Sequence, residues 1–256
     1  MLQLFTKPLY STYAKALRKR LKGAKLPHHV GMIIDGNRRW AKLGGFTPVH
    51  GHRAGAAKLL EFLKWCDSLG VRVVTLYLLS NDNLSNRTGK ELSDLQQVIA
   101  DLADSVASEG TWKVQRVGNA ENTDSNLNHR LADAQNQTAG NTGMHINMAV
   151  GYGGRHEIVD AVRAVLSEAA AGGKTLEELS RNFEPELLSE KLYTSGQPDP
   201  DLIIRTSGEQ RLSDFMLWQS AHSEFYFMEA LGPAMREIDF LRAVRDYSRR
   251  QRRYGA

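Results

Sequence analysis

The chemistry of this chain concentrates where an apolar run ends in Asp35-Gly36-Asn37-Arg38-Arg39-Trp40. A predicted strand over residues 30–35 would deliver one carboxylate, one glycine that permits close backbone approach and two guanidiniums to the rim of a sheet. A lone aspartate among arginines suits a divalent cation and a phosphorylated ligand, whereas a hydrolytic pair of acids would need a second carboxylate. By itself the segment reads more readily as a strand end with a solvated turn. A second cluster, Arg205-Thr206-Ser207-Gly208-Glu209-Gln210-Arg211-Leu212-Ser213, again follows an apolar run. Two guanidiniums and a hydroxyl fit a diphosphate, because Arg grips phosphate oxygens bidentately; surface arginines in a loop are the alternative. In a third cluster the apolar Tyr77-Leu78-Leu79 opens into Ser80-Asn81-Asp82-Asn83, then Arg87: a greasy wall with a polar mouth. In a fourth, Glu224 stands among Phe225, Tyr226 and Phe227 as an interface acid or a metal ligand.

The elements that must position these residues alternate. Strands are predicted over 30–35, 71–80, 112–118, 145–150, 201–206 and 225–228. Helices are predicted over 53–69, 90–108, 127–138, 155–171 and 239–250, with one or two short ones in 176–193 around Pro185. Such alternation with short connections predicts one α/β domain, a mostly parallel central sheet of about six strands flanked by helices. In these sheets ligands sit outside the carboxyl ends of the strands, where Asp35, Ser80, Gly151 and Arg205 all fall. Neither Gly-x-Gly-x-x-Gly nor a Walker A sequence occurs, which argues against a dinucleotide enzyme or a P-loop nucleotidase. Gly36-Asn37-Arg38-Arg39 could still offer backbone N–H groups to an anion at a helix start. Tyr152-Gly153-Gly154-Arg155 is either another such cradle or a tight turn that needs small residues.

Composition narrows the classes further. With 41% hydrophobic and 24% charged residues the chain is an ordinary globular one, without a long uncharged apolar run. Residues 1–27 read as an amphipathic arm rather than a signal peptide: packed, disordered or touching a membrane surface. Cys66 is the only cysteine, so no intrachain disulfide can form and a reducing cytoplasm fits; its place in an apolar stripe favours a buried thiol over a nucleophile. The net charge of +4 is mild, and the C-terminal cluster Arg242, Arg245, Arg249, Arg250, Arg252 and Arg253 lacks interleaved aromatics. Nucleic acid is therefore not an expected partner.

Taken in order, Asp35 to Ala41, Gly51-His52-Arg53-Ala54-Gly55, Ser80-x-Asp82-Asn83, Asn147 with Tyr152-Gly153-Gly154-Arg155, Asp201 to Ser213 and Leu217-Trp218-Gln219 through Glu224 resemble the cis-prenyltransferases, the undecaprenyl diphosphate synthase family. The match runs from about residue 28 to the C-terminus, which is taken as a catalytic domain over 28–256. Tyr77-Leu78-Leu79-Ser80, the turn 150–154 and Leu192 to Asp201 are similar to the short-chain actinobacterial branch, the Z-farnesyl diphosphate synthases.

The resemblance implies the cis-prenyltransferase fold, neither Rossmann nor the all-α trans-prenyltransferase fold. It implies a transferase that condenses isopentenyl diphosphate with an allylic diphosphate, with Mg²⁺ as cofactor, in a cytoplasmic homodimer that could touch the inner face of the plasma membrane. By the match, Asp35 is the essential acid and holds Mg²⁺. Gly36, Asn37, Arg38, Arg39 and His52 match the allylic diphosphate cradle, and Arg205, Arg211 and Ser213 the isopentenyl diphosphate site. Trp40, Ser80, Asn81, Asp82, Arg87 and Leu212 are further substrate-binding residues, and Glu224 matches an acid contributed across the dimer to the metal region. Asn83 matches the position often assigned as proton acceptor; a neutral amide is a poor base, so an orienting role is expected, with a diphosphate oxygen taking the proton.

There are departures from the pattern. Asp82 replaces the more usual Glu, Leu84 a Trp, Thr47 an Arg and Gln210 a His, and Arg87 matches only after a one-residue insertion. Leu78 stands where long-chain members often carry a small residue. Its extra bulk in a closed tunnel predicts a short product of about fifteen carbons from geranyl diphosphate, (2Z,6E)-farnesyl diphosphate. The alternatives are a long-chain decaprenyl or undecaprenyl diphosphate synthase, and a non-catalytic partner subunit of the same fold.

Overall fold

The six predicted strands form as β1 (His29–Ile33), β2 (Val73–Ser80), β3 (Lys113–Val117), β4 (His145–Tyr152), β5 (Leu202–Arg205) and β6 (Glu224–Phe227). The computed structural model describes residues 3–87, 89–121 and 123–250, with side chains from Tyr10 onward except Ser11. The first two residues of the N-terminal arm, and Arg252 and Arg253 of the basic C-terminal cluster, lie outside the described residues. The strands form one sheet in the order β3-β4-β2-β1-β5-β6, and every pairing is parallel. The strands β1 and β5 are buried along their whole length, which is why they read as continuous apolar runs rather than as an alternation.

The helices that cover this sheet are α1 (Gln3–Leu21), α2 (Asn37–Leu43), α3 (Pro48–Ser68), α4 (Asn81–Asn86), α5 (Gly89–Ala107), α6 (Ser125–Gln137), α7 (Gly154–Ala171), α8 (Leu176–Arg181), α9 (Pro185–Ser189) and α10 (Glu237–Arg249). One face of the sheet packs against α3, α5 and α10 through Leu59, Phe62, Leu63, Ile99, Leu102 and Phe240. Phe62 and Phe240 are fully buried and meet edge to face with centroids 5.1 Å apart. Truncating either to Ala is expected to cost about 3–5 kcal/mol. Cys66 is fully buried in the same cluster, and burial pushes its thiol pKa up, as a structural cysteine requires. The other face carries Ile33, Ala149, Tyr152 and Ile203 against Phe215 and Met216.

The expected arm is helix α1, laid along α10. Leu17 and Leu21 are buried, Arg18 pairs with Glu237 at 2.6 Å, and Arg236 and Arg242 lie over the rings of Tyr10 and Tyr13. Helix α3 starts five residues before the predicted 53, because Thr47 caps it by accepting from the His50 N–H and Pro48 opens its first turn. Helices α2 and α4 have no counterpart in the predicted spans; with seven and six residues they are too short to show a period. No described helix is long and apolar enough to cross a membrane.

Chain order turns back at β1. Strand β2 pairs on one side of it and β5 on the other. A crevice opens at the carboxyl ends of the strands at such a reversal. Asp35 follows β1 there and Arg205 ends β5.

Candidate active site

That crevice is a cavity of about 390 Å³. Asp35 sits at its centre. Its Oδ2 accepts from the Arg205 guanidinium at 2.8 Å and its Oδ1 from the Gly36 N–H at 2.6 Å. Burial works against the Asp35 charge, but Arg205 and the Gly36 N–H outweigh it and hold the carboxyl below the usual range. Thr206 clamps the Asp35 backbone, accepting from its N–H and donating to its carbonyl, both at 2.7 Å. Arg205 has a side chain only 5% exposed, and also donates to the Ser213 Oγ at 2.7 Å and the Arg211 carbonyl at 2.5 Å.

On the other side of Asp35 stands helix α2. It begins at Gly36, whose φ of 93° is left-handed, and no side chain caps it. Gly51 and Gly55 let α3 lie hard against this helix. A Cβ at Gly51 would fall 2.3 Å from the Asn37 carbonyl oxygen, and one at Gly55 2.6 Å from the Asn37 Oδ1. The spacing Gly51-His52-x-x-Gly55 is thus a packing requirement that turns His52 into the cavity. Burial and the neighbouring Arg87 push the His52 pKa down to about 4, so the ring is neutral at pH 7. Arg87 lies 3.2 Å from His52 Nε2 and bonds Asn83 and Glu91 at 3.0 and 3.2 Å.

Among the described residues, five guanidiniums (Arg38, Arg39, Arg87, Arg205 and Arg211) and two carboxylates (Asp35 and Asp82) line this cavity. Its polar half therefore favours an anion. Among the described residues the buried atoms His52 Nδ1 and Arg205 Nε find no partner, a cost that a polar ligand would remove. Arg38 and Arg211 have side chains 61% and 62% exposed and pair with Glu91 and Glu209 at the cavity rim. Below the polar rim the lining turns apolar, with Ala56, Leu59, Leu78, Leu95, Ile99 and Leu102 between β2, α3 and α5. Leu78 is the extra residue of a β-bulge, since Tyr77 pairs with Ala149 but Leu79 with Val150.

The cavity collects Asp35, Gly36, Asn37, Arg38, Arg39, His52, Leu78, Ser80, Asp82, Asn83, Arg87, Arg205, Arg211 and Ser213 from the residues read in the sequence. Asn83 donates its amide to the Ser80 Oγ at 2.7 Å and accepts from Arg87, so both ends of its amide are engaged. Some of the expected residues lie elsewhere. Trp40 is turned away and stacks on Phe46 and His50. Asn81 lines an adjoining cleft of about 510 Å³ with His156 and Asp160, and Asp82 borders both spaces. Leu212 packs beside Phe215 under the loop. Gly151 ends no ligand rim: Asn119 crosses over it and donates to its carbonyl at 3.0 Å.

The Tyr152-Gly153-Gly154-Arg155 turn resolves as a tight packing turn and not a phosphate cradle. Its Gly154 and Arg155 N–H groups are taken by the Asp214 carbonyl at 2.7 Å and the Asp214 carboxylate at 3.0 Å. Glu224 begins β6, at the opposite end of the sheet from Asp35, and pairs with Arg250 at 2.5 Å. Within one copy of the chain it does not reach the cavity. Sequence reading assigned no role to Thr206, Tyr77, Glu91 or Asp214, although Thr206 and Tyr77 lie within quoted clusters and Asp214 directly follows one; only Glu91 stood beside no recognised signal.

A parallel sheet whose reversal point gathers arginines around one aspartate, over an apolar pocket, defines a protein suited to an anion that carries an apolar part. The family model described as "Putative undecaprenyl diphosphate synthase" matches residues 33–255, and the chain belongs to that family, the cis-prenyltransferases. It is a prenyl-transferring enzyme by that membership. It is 53% identical to the (2Z,6E)-farnesyl diphosphate synthase of Thermobifida fusca, over 97% of this chain and 97% of that one. It is 51% identical to the short-chain Z-isoprenyl diphosphate synthase of Mycobacterium bovis, over 97% and 96%. The crystal structure of lavandulyl diphosphate synthase from Lavandula x intermedia, in complex with dimethylallyl diphosphate, superposes with a TM-score of 0.85 at 33% identity, covering 90% of this chain and 99% of that one.

Proposed function

We propose that this enzyme joins one isopentenyl diphosphate to a short allylic diphosphate, geranyl diphosphate, and releases (2Z,6E)-farnesyl diphosphate and inorganic diphosphate. The observation that carries this reading is the gathering of Arg38, Arg39, Arg205 and Arg211 with Asp35 around one cavity. Four guanidiniums suit two diphosphates, with the apolar half of the cavity below. A total volume of about 390 Å³, near the small end of the ~300–1,000 Å³ range of ligand pockets, leaves little room for a long chain. The short-chain names of the actinobacterial relatives support the same length.

In the reaction the allylic C–O bond breaks and its electron pair leaves on the diphosphate. The double bond of isopentenyl diphosphate then bonds to the allylic carbon, and a proton departs to leave the cis double bond. Arg38, Arg39 and the first-turn N–H groups of α2 bind the allylic diphosphate, and Arg205, Arg211 and Ser213 bind the isopentenyl one. Neutral His52 offers its ring to a phosphate oxygen. Asn83, held by Ser80 and Arg87, orients these groups, and a diphosphate oxygen takes the proton. The donor set fits Mg²⁺: one partly open carboxylate, Asp35, with substrate oxygens completing the shell. Bound there, the ion would neutralise charge on the leaving diphosphate. A homodimer in which Glu224 of one copy serves the site of another is part of this reading.

The test is a primer panel of dimethylallyl, geranyl and farnesyl diphosphates with labelled isopentenyl diphosphate and Mg²⁺, followed by product sizing. Geranyl diphosphate should give the highest kcat/KM and stop after one addition. A ladder of products beyond about thirty carbons would assign the chain to the long-chain synthases instead.

A further inference from the structure

The loop that carries Arg211 and Ser213 runs through an unfavourable backbone. Ser207, Ser213, Asp214 and Met216 have φ of 81°, 50°, 64° and 46°, and none is glycine. L-residues rarely adopt this region, so the loop keeps its shape only where surrounding contacts over-determine it. Arg205 and the Tyr77 hydroxyl hold it from the cavity side, the latter donating to the Ser213 carbonyl at 3.0 Å. Tyr152 holds its far end, its hydroxyl accepting from the Met216 N–H at 3.2 Å.

Between these stands Asp214, which does not line the cavity. Its carbonyl accepts from the Gly154 N–H at 2.7 Å, and its carboxylate accepts from the Arg155 N–H at 3.0 Å. Both donors belong to the opening of α7, where Gly153 supplies no side-chain cap. The loop therefore caps the helix, and the helix dipole favours the carboxylate in that place. Contact is close enough to dictate the sequence on the facing turn. A Cβ at Gly153 would lie 2.6 Å from the Asp214 Oδ2, and one at Gly154 3.1 Å from the Asp214 carbonyl oxygen.

We propose that Asp214 is a positioning residue for isopentenyl diphosphate: by capping α7 it locks the strained loop so that Arg211 and Ser213 are preset for that substrate. This rests on the reading of Arg211 and Ser213 as its cradle. Asp214 touches no substrate; it acts through the shape of the loop.

Steady-state kinetics of the full-length enzyme, varying each substrate in turn, test it with four variants. Asp214→Gly keeps the left-handed backbone open but removes the cap. It should raise KM for isopentenyl diphosphate about tenfold and leave KM for geranyl diphosphate within about twofold. Gly153→Ala, which pushes the carboxylate off the helix, should do the same. Asp214→Asn should stay within about threefold of the parent, because the amide oxygen accepts the same N–H and Asn tolerates this backbone. A merely structural residue would lower the melting temperature and move both KM values together, which would overturn the proposal. So would an unchanged KM in Asp214→Gly, or an Asp214→Asn as impaired as Asp214→Gly. Arg211→Ala separates the levels. If it raises the isopentenyl KM while Asp214→Gly does not, the clamp alone fails; if Arg211→Ala also leaves that KM unchanged, the cradle assignment fails with it.

Discussion

Leu78→Ala should lengthen the product by one isoprenoid unit and no more. The side chain is half-buried in the cavity wall and packs against the core shared by α3 and α5. Removing Cγ, Cδ1 and Cδ2 at about 0.8 kcal/mol per buried carbon would cost about 2.4 kcal/mol if Leu78 were fully enclosed. At half burial the expected loss of stability is about 1 kcal/mol, too little to unfold the chain. The space gained is that of those carbons. Each addition needs room for about five carbons, so the opening accommodates one more unit only with some give from neighbours. Leu59, Ile99 and Leu102 still line the wall below. The assay is incubation with geranyl diphosphate and radiolabelled isopentenyl diphosphate, dephosphorylation and reversed-phase thin-layer separation against prenyl alcohol standards. A main product of about twenty carbons is expected. An unchanged distribution would refute the assignment of Leu78 as the limit, and products of about fifty carbons would show that the rest of the wall offers no resistance.

Asp35→Asn should lower kcat by about a thousandfold or more, because the amide neither holds Mg²⁺ nor balances Arg205; parent-like turnover in the labelled-substrate assay would remove Asp35 from the chemistry. Chelation with EDTA should abolish turnover yet move the melting temperature by less than about 2 °C, if the ion is held as proposed by one carboxylate plus substrate oxygens; a large thermal shift would reveal a structural metal instead. Buried His29 and His52 have pKa values pushed down to about 4, by desolvation first and, for His52, by Arg87 next. The unfolded chain binds these protons below about 6.5 and the folded chain does not until about 4. Their contribution is therefore complete above pH 6.5 and declines as pH falls to 4, by on the order of 3 kcal/mol each. Urea midpoints measured from pH 7 to 4.5 should fall accordingly, and a flat profile would contradict the burial argument. If Glu224 serves the neighbouring copy, Asp35→Ala and Glu224→Ala chains, each inactive alone, should regain activity when co-expressed as mixed dimers; no recovery would confine Glu224 to its pairing with Arg250.

Much of this protein was determined locally, and local features are legible in a sequence. The strands announce themselves as apolar runs because both faces of a parallel sheet are covered, and Asp35, Ser80 and Arg205 could be placed at their carboxyl ends from pattern alone. The motifs around Asp35 and Arg205 are likewise contiguous, so residue types and order sufficed to suggest diphosphates and a metal. Tertiary structure decided what depends on contact between distant segments. It sent Trp40 and Asn81 out of the cavity, since a helical turn points neighbours in different directions and only packing settles which direction faces inward. It paired Asp35 with Arg205, 170 residues away. It placed Glu224 at the far end of the sheet, because a residue that starts a parallel strand lies opposite one that follows the end of another. The link from Asp214 to the N–H of Arg155 spans 59 residues and has no pattern of its own in either segment. Periodicity records which face of an element is dry; it carries no record of which two loops meet above the sheet.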